Sequence, residues 1–71
     1  SVDDKDAKRI KNQISKLEEE IGIKEFDIKK LEEKIEALSE DGKYDEQIVL
    51  QLGTEKKALE KLMQEWESLQ S

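Results

Sequence analysis

The stretch IKKLEEKIEALSEDGKYDEQIVLQL, residues 28–52, decides the fold. Its first half carries apolar residues at Ile28, Leu31, Ile35 and Leu38, spaced alternately by three and four positions. That alternation returns each apolar side chain to the same helix face and is the seam of a coiled coil. The seam then stops. Ser39-Glu40-Asp41-Gly42-Lys43 contains no apolar residue, and Asp-Gly is a turn signal because glycine accepts positive φ without steric cost. At Ile48 and Leu52 a second seam begins. One helix, a sharp turn and another helix are therefore written into these residues, and so short a connection makes the helices pack antiparallel.

Upstream, the first seam runs through Ile10, Ile14, Leu17, Ile21 and Lys24 before reaching Ile28. Downstream, the second continues through Glu55, Leu59, Leu62, Trp66 and Leu69. The expected architecture is all-α, a two-helix antiparallel coiled-coil hairpin. Residues 1–9 form a linker and the start of helix 1, and residues 10–71 form the hairpin. Helix 1 is expected over about 7–39, the turn over 40–44 and helix 2 over about 45–70. The polar segment Ser1–Asp6 is expected to fray, with Asp3, Asp4 and Asp6 suited to the positive end of a helix that starts nearby. Gly53 costs helix 2 about 1 kcal/mol relative to alanine. With Thr54 beside it as a possible cap it can mark a break, but one helix with a weak point there is the preferred reading.

Each seam has one charged intruder, Lys24 in the first and Glu55 in the second. Folding the seams about the turn sets Ile35 against Ile48, Leu31 against Leu52 and Ile28 against Glu55. Beyond these, Lys24 meets Leu59, Ile21 meets Leu62, Leu17 meets Trp66 and Ile14 meets Leu69. In this register the two intruders occupy adjacent layers and can reach each other diagonally, whereas a slip of one heptad separates them. A pair of this kind helps fix register at little net gain in stability; the competing reading is that both long side chains snorkel to water. Trp66 is expected in the seam with its indole N–H at the edge, and Tyr44 is expected to fold onto the hairpin tip against Ile48.

Composition agrees with this outline and excludes much else. A chain of 71 residues holds one small unit, and 45% charged residues with no proline suit long solvated helices once the apolar spacing is regular. There is no cysteine and no histidine, so disulfides, thiolate chemistry and the commonest metal ligands and nucleophile–base pairs are absent. The glycines Gly22, Gly42 and Gly53 are isolated and make no phosphate loop. The carboxylates of Glu18, Glu19, Glu20, Glu32 and Glu33 read as a solvated coiled-coil surface. No catalytic, cofactor-binding or metal-binding residue is assigned, and this chain is not read as an enzyme. No apolar run approaches the ~20 residues that span a bilayer, no signal peptide is visible, and the lack of cysteine fits a reducing compartment.

The formal net charge of −6 opposes broad binding to nucleic acid, but its distribution is uneven. Basic residues gather toward the N-terminus, and acidic ones (Glu40, Asp41, Asp45, Glu46) around the turn. Placed on the heptad, Lys5, Lys8, Arg9 and Lys16 fall with Asn12 on the outer face of helix 1, away from helix 2. A stripe of this kind can neutralise nucleic-acid phosphates. It is also what an ordinary soluble helix surface looks like. On the same face, Ile23 and Phe26 occupy positions where water is expected, beside Gly22 and flanked by Lys16, Lys29 and Lys30. They are a candidate apolar contact with another domain, with a nucleic acid or with a second copy in weak self-association; single exposed apolar residues are, however, common.

From Ile10 to Gln70 the chain resembles the C-terminal coiled-coil domain of the ATP-binding-cassette F proteins, the Uup-like group. The first helix reads ISKLEEEI (14–21) and IKKLEEKIEAL (28–38). The turn DGKYD (41–45) is similar to that family's Asp-Pro-x-x-Tyr/Phe connection, with Gly42 where proline is usual. The closing LEKLMQEWESL (59–69) is similar to its Leu…Trp-Glu-x-Leu signature through Leu62, Trp66, Glu67 and Leu69. Gly22 and Gly53 depart from the family's alanine- and leucine-rich pattern. The resemblance implies the tail of a cytoplasmic protein with tandem ATPase domains, which act on ribosomes in translation or antibiotic resistance. It implies a hairpin associated with DNA binding and with tuning of the parent ATPase. ATP and Mg would belong to those other domains, which would be partners within the same polypeptide, with no membrane involved. Two other readings stand beside it: a structural coiled-coil spacer or dimerisation element, and an RNA-binding hairpin arm like that of valyl-tRNA synthetases.

Overall fold

The computed structural model describes the backbone of residues 2–71 and the side chains of residues 4–71. Two helices account for nearly all of it: α1, Val2–Glu40, and α2, Glu46–Gln70. They lie side by side as a rod of 62 × 15 × 14 Å. The length follows from α1 alone, because 39 residues at 1.5 Å each extend about 58 Å. The fold is all-α, as the two seams require.

Two caps make the reversal sharp. Gly42 has φ 70°, the left-handed conformation that glycine adopts at least cost. Around it the amide of Lys43 donates to the carbonyl of Leu38 at 2.7 Å, and the amide of Gly42 to that of Ser39 at 3.0 Å. These two bonds define a Schellman ending and satisfy carbonyls that the last turn of α1 would leave open. Three residues later Asp45, extended at φ −123° and ψ 105°, caps α2. Its Oδ1 accepts from the amides of Gln47 at 2.9 Å and Ile48 at 3.3 Å. α2 then runs unbroken through Gly53, and the Thr54 hydroxyl donates back to the Leu50 carbonyl at 3.2 Å instead of starting a new helix.

Burial follows the seams position by position. Leu17, Ile28 and Leu31 are buried, and Ile14, Ile21, Lys24, Ile35 and Leu38 are half-buried. From α2, Ile48, Leu52, Glu55, Leu59, Leu62, Trp66 and Leu69 are all half-buried, joined by Val49 and Ala58 beside the seam. Among the described residues the three buried side chains all belong to α1, and the rest of the seam stays half-exposed because two helices alone cannot enclose both sides of their contact.

Three expectations need correction. α1 begins at Val2 rather than near residue 7, so residues 2–9 are its first turns and not a linker. Ser1 lies outside the described residues, as does the side chain of Asp3, so the parts of the N-terminal expectation that concern them lie there too. Ile10 is 39% exposed although it continues the seam, because the register brings Leu69 only as far as Ile14 and nothing from α2 faces Ile10. Tyr44 is 75% exposed and does not fold onto Ile48. It sits in the extended link between the Schellman ending and the Asp45 cap, whose hydrogen bonds fix the backbone.

Candidate nucleic-acid interface

Among the described residues three polar side-chain contacts bridge the helices in the register the seams set. The Lys24 ammonium donates to Glu55 Oε2 at 2.6 Å, with each side chain about a quarter exposed. The Trp66 indole N–H donates to Glu18 Oε2 at 3.2 Å, beside Leu17. Lys56 and Glu32 pair at 3.6 Å on the surface, where such a contact adds little. The two seam intruders therefore meet, as the register anticipates. The hydrogen bond to Glu55 holds the Lys24 ammonium above its ordinary pKa of 10.5; burial opposes this in part, and the charges of Glu55 and Asp27 add to it. The Trp66–Glu18 bond was not legible in the spacing. Its signal is that Glu18 stands next to the seam residue opposite Trp66.

Lys5, Lys8, Arg9 and Lys16, with Asn12 and Gln13, line one shallow groove on the outer face of α1. All are exposed. Their spacing by threes and fours brings them together on a regular helix, and the stretch from Lys5 to Lys16 covers about 16 Å. Arg9 Nη2 is engaged by Asp6 Oδ1 at 3.1 Å, one turn earlier, with both side chains more than half exposed. Among the described residues Lys5, Lys8 and Lys16 make no ion pair, so their charges are open to an outside anion. Lys16 and Gln13 also border the groove between the helices, where they stand beside Leu17 and Leu69. The stripe is thus less strictly turned away from α2 than the heptad suggested.

Ile23 and Phe26 are 58% and 59% exposed, as expected for outer positions. Phe26 carries the ammonium of Lys30 over its ring, 5.2 Å from the centroid, a cation–π contact. Lys30 also lies 3.7 Å from Glu33. Ile23 is placed differently: it lines an interhelical groove with Lys24, Ala58 and Leu62.

The surface depressions are open grooves along the rod. Among the described residues no group of three or more side chains is arranged to hold a metal ion, and no helix is long and apolar enough to cross a membrane. No protein-family model, curated protein or solved structure matches the chain.

Proposed function

We propose that this hairpin is an accessory element that lays the Lys5–Lys16 face of α1 against nucleic-acid phosphates. In this reading it is the coiled-coil tail of a cytoplasmic ATPase of the ATP-binding-cassette F type, and nucleotide hydrolysis belongs to other domains of the same polypeptide. The observation that carries the proposal is the exposed groove in which Lys5, Lys8, Arg9 and Lys16 stand together on one helix face. Further support comes from the sequence resemblance in the turn 41–45 and the closing segment 59–69. One strand's phosphates recur about every 3.4 Å of duplex axis while the strand winds around it, so about 16 Å of helix can meet three or four of them. The contact is electrostatic and reads shape and charge, because no side chain of the groove is fixed for bidentate recognition of a base.

Three or four neutralised phosphates predict a slope of log affinity against log salt of about −2.7 to −3.6 on duplex DNA. Affinity then falls by about 40- to 150-fold between about 50 and 200 mM salt. Fluorescence anisotropy with a labelled DNA duplex and with a labelled ribosomal RNA hairpin measures this directly. Replacing Lys8, Arg9 and Lys16 together with glutamate should abolish the binding while circular dichroism shows the helices intact. Absence of binding at low salt, or equal binding by the triple variant, overturns the reading and leaves a structural spacer.

A further inference from the structure

The two helices differ in length, and the difference leaves one end of α1 without a neighbour. α2 ends at Gln70, and its last seam residue, Leu69, shares a groove with Gln13, Lys16 and Leu17. Residues 2–12 of α1 therefore project past α2 as a single helix about 16 Å long. Ile10, the seam residue of this overhang, is 39% exposed. Three of the four cations of the basic groove, Lys5, Lys8 and Arg9, stand on the overhang. The fourth, Lys16, stands at its base, where the two helices already pack.

Two effects weaken a helix in that position. The first is the lack of packing, which supplies most helical stability in proteins; a lone helix shorter than ~12–15 residues is marginal in water. Continuity with the paired part of α1 removes the cost of nucleation but adds no contact, so each further turn stands near balance. The second is charge. Lys5 and Lys8, Lys8 and Lys11, and Lys5 and Arg9 are three or four residues apart, and like charges at those separations disfavour the helix. Asp6 offsets part of this through Arg9 Nη2 at 3.1 Å, although both side chains are more than half exposed, and acids near the N-terminus suit the helix dipole. A bound polyanion acts on both effects at once. It neutralises the cations that repel one another, and it supplies the neighbour that the overhang lacks. A row of phosphates fits the groove only when the helix holds Lys5, Lys8 and Arg9 in line with Lys16.

We propose that the overhang is ordered by its ligand: in the free chain residues 2–12 exchange between helix and coil, and a polyanion laid along the groove completes α1. The proposal rests on the phosphate-contact reading of the groove and adds to it a coupling of folding to binding. Lys16, held by the hairpin, takes the first contact, and the overhang winds up on the anion from there toward the N-terminus. Only the helical fraction binds along the whole face, so the apparent Kd is the intrinsic Kd divided by that fraction. With the overhang about half helical, the apparent Kd is about twice that of a fixed helix. A change that shifts the helix–coil balance of residues 2–12 then shifts affinity without touching the groove or the seam.

Amide hydrogen exchange of the whole chain, alone and with a short-chain inorganic polyphosphate at low salt, tests this. In the free chain the amides of residues 6–12 should exchange within about fivefold of the rate in an unfolded peptide, and those of residues 24–31 far more slowly. Saturating polyphosphate should protect residues 6–12. It should also raise the helical signal at 222 nm by about a tenth, because the overhang is about a sixth of all helical residues. Two glycine substitutions separate the overhang from the hairpin, at alanines that are exposed and outside the groove. Ala7→Gly should weaken polyphosphate binding about threefold and leave Tm unchanged, whereas Ala37→Gly should lower Tm by about 4–8 °C and leave the affinity unchanged. Protection of residues 6–12 equal to that of residues 24–31 in the free chain overturns the proposal. Absence of polyphosphate binding, binding without gain of helix, or an Ala7→Gly variant that binds as the wild type does overturns it as well. A labelled DNA duplex keeps the two readings apart. DNA bound without gain of helix refutes the coupling alone, and polyphosphate that orders the overhang where DNA does not bind refutes the nucleic-acid reading alone.

Discussion

Truncating Leu31 to alanine removes three carbons from a side chain that is 8% exposed. At about 0.8 kcal/mol per buried carbon, the loss of transfer free energy is about 2.4 kcal/mol. A closed globular core would add a term for the cavity left behind. Here the site lies in a seam between only two helices, water reaches the vacated space, and that addition is small. Alanine returns about 0.2 kcal/mol through its higher helix propensity. The expected destabilisation is about 2 kcal/mol. For a chain of this size that lowers Tm by roughly 8–16 °C. Leu50→Ala removes the same atoms from a side chain 58% exposed on the outer face of α2, and should cost less than about 1 kcal/mol. Thermal melts followed by circular dichroism at 222 nm, at one low concentration, compare the two directly. Equal shifts, or a larger shift for Leu50→Ala, would refute the seam as the source of stability.

The glycines supply a second comparison. A Cβ at Gly53 meets nothing within 4 Å, and the residue is helical, so Gly53→Ala should stabilise the hairpin by about 1 kcal/mol; Gly42→Ala, at φ +70°, should destabilise it by about 1 kcal/mol, both read from urea unfolding. The Lys24–Glu55 pair supplies a third. Lys24 has its pKa raised in the folded state by the hydrogen bond to Glu55, so its contribution is complete below the unfolded value of 10.5 and is lost as pH rises through the higher folded value. Wild-type Tm should therefore fall more steeply above pH 10.5 than that of Lys24→Met, and parallel curves would remove the pair's role.

Much of this molecule was legible because a coiled coil is nearly one-dimensional. The alternation of three and four places fixed which residues face inward, and the turn at Asp41-Gly42 fixed where the chain reverses. Register followed from those two facts, and with it the meeting of Lys24 and Glu55. What escaped depends on direction around the helix or on where facing elements stop. Ile10 obeys the period yet is exposed, because a period says nothing about whether a partner lies opposite. Tyr44 obeys no period, and the capping bonds on either side of it decided its position. The basic face at Lys5, Lys8, Arg9 and Lys16 was visible from its spacing. The pairing of Arg9 with Asp6 was missed, although a separation of three residues was its signal.

The charged layer at Lys24 and Glu55 divides the seam into two apolar runs of unequal kind. Toward the turn lie Ile28 and Leu31, covalently tethered through the capped reversal. Toward the open end lie Leu17, Trp66 and their neighbours, held by packing and by the hydrogen bond from Trp66 to Glu18, with no covalent link beyond it. Pulling the two chain ends apart therefore loads the open run first, and the Lys24–Glu55 layer marks where the run anchored at the turn begins. The tip half can stay closed while the far half breathes, so a rod that is uniform in sequence pattern is divided mechanically into an anchored base and a movable end.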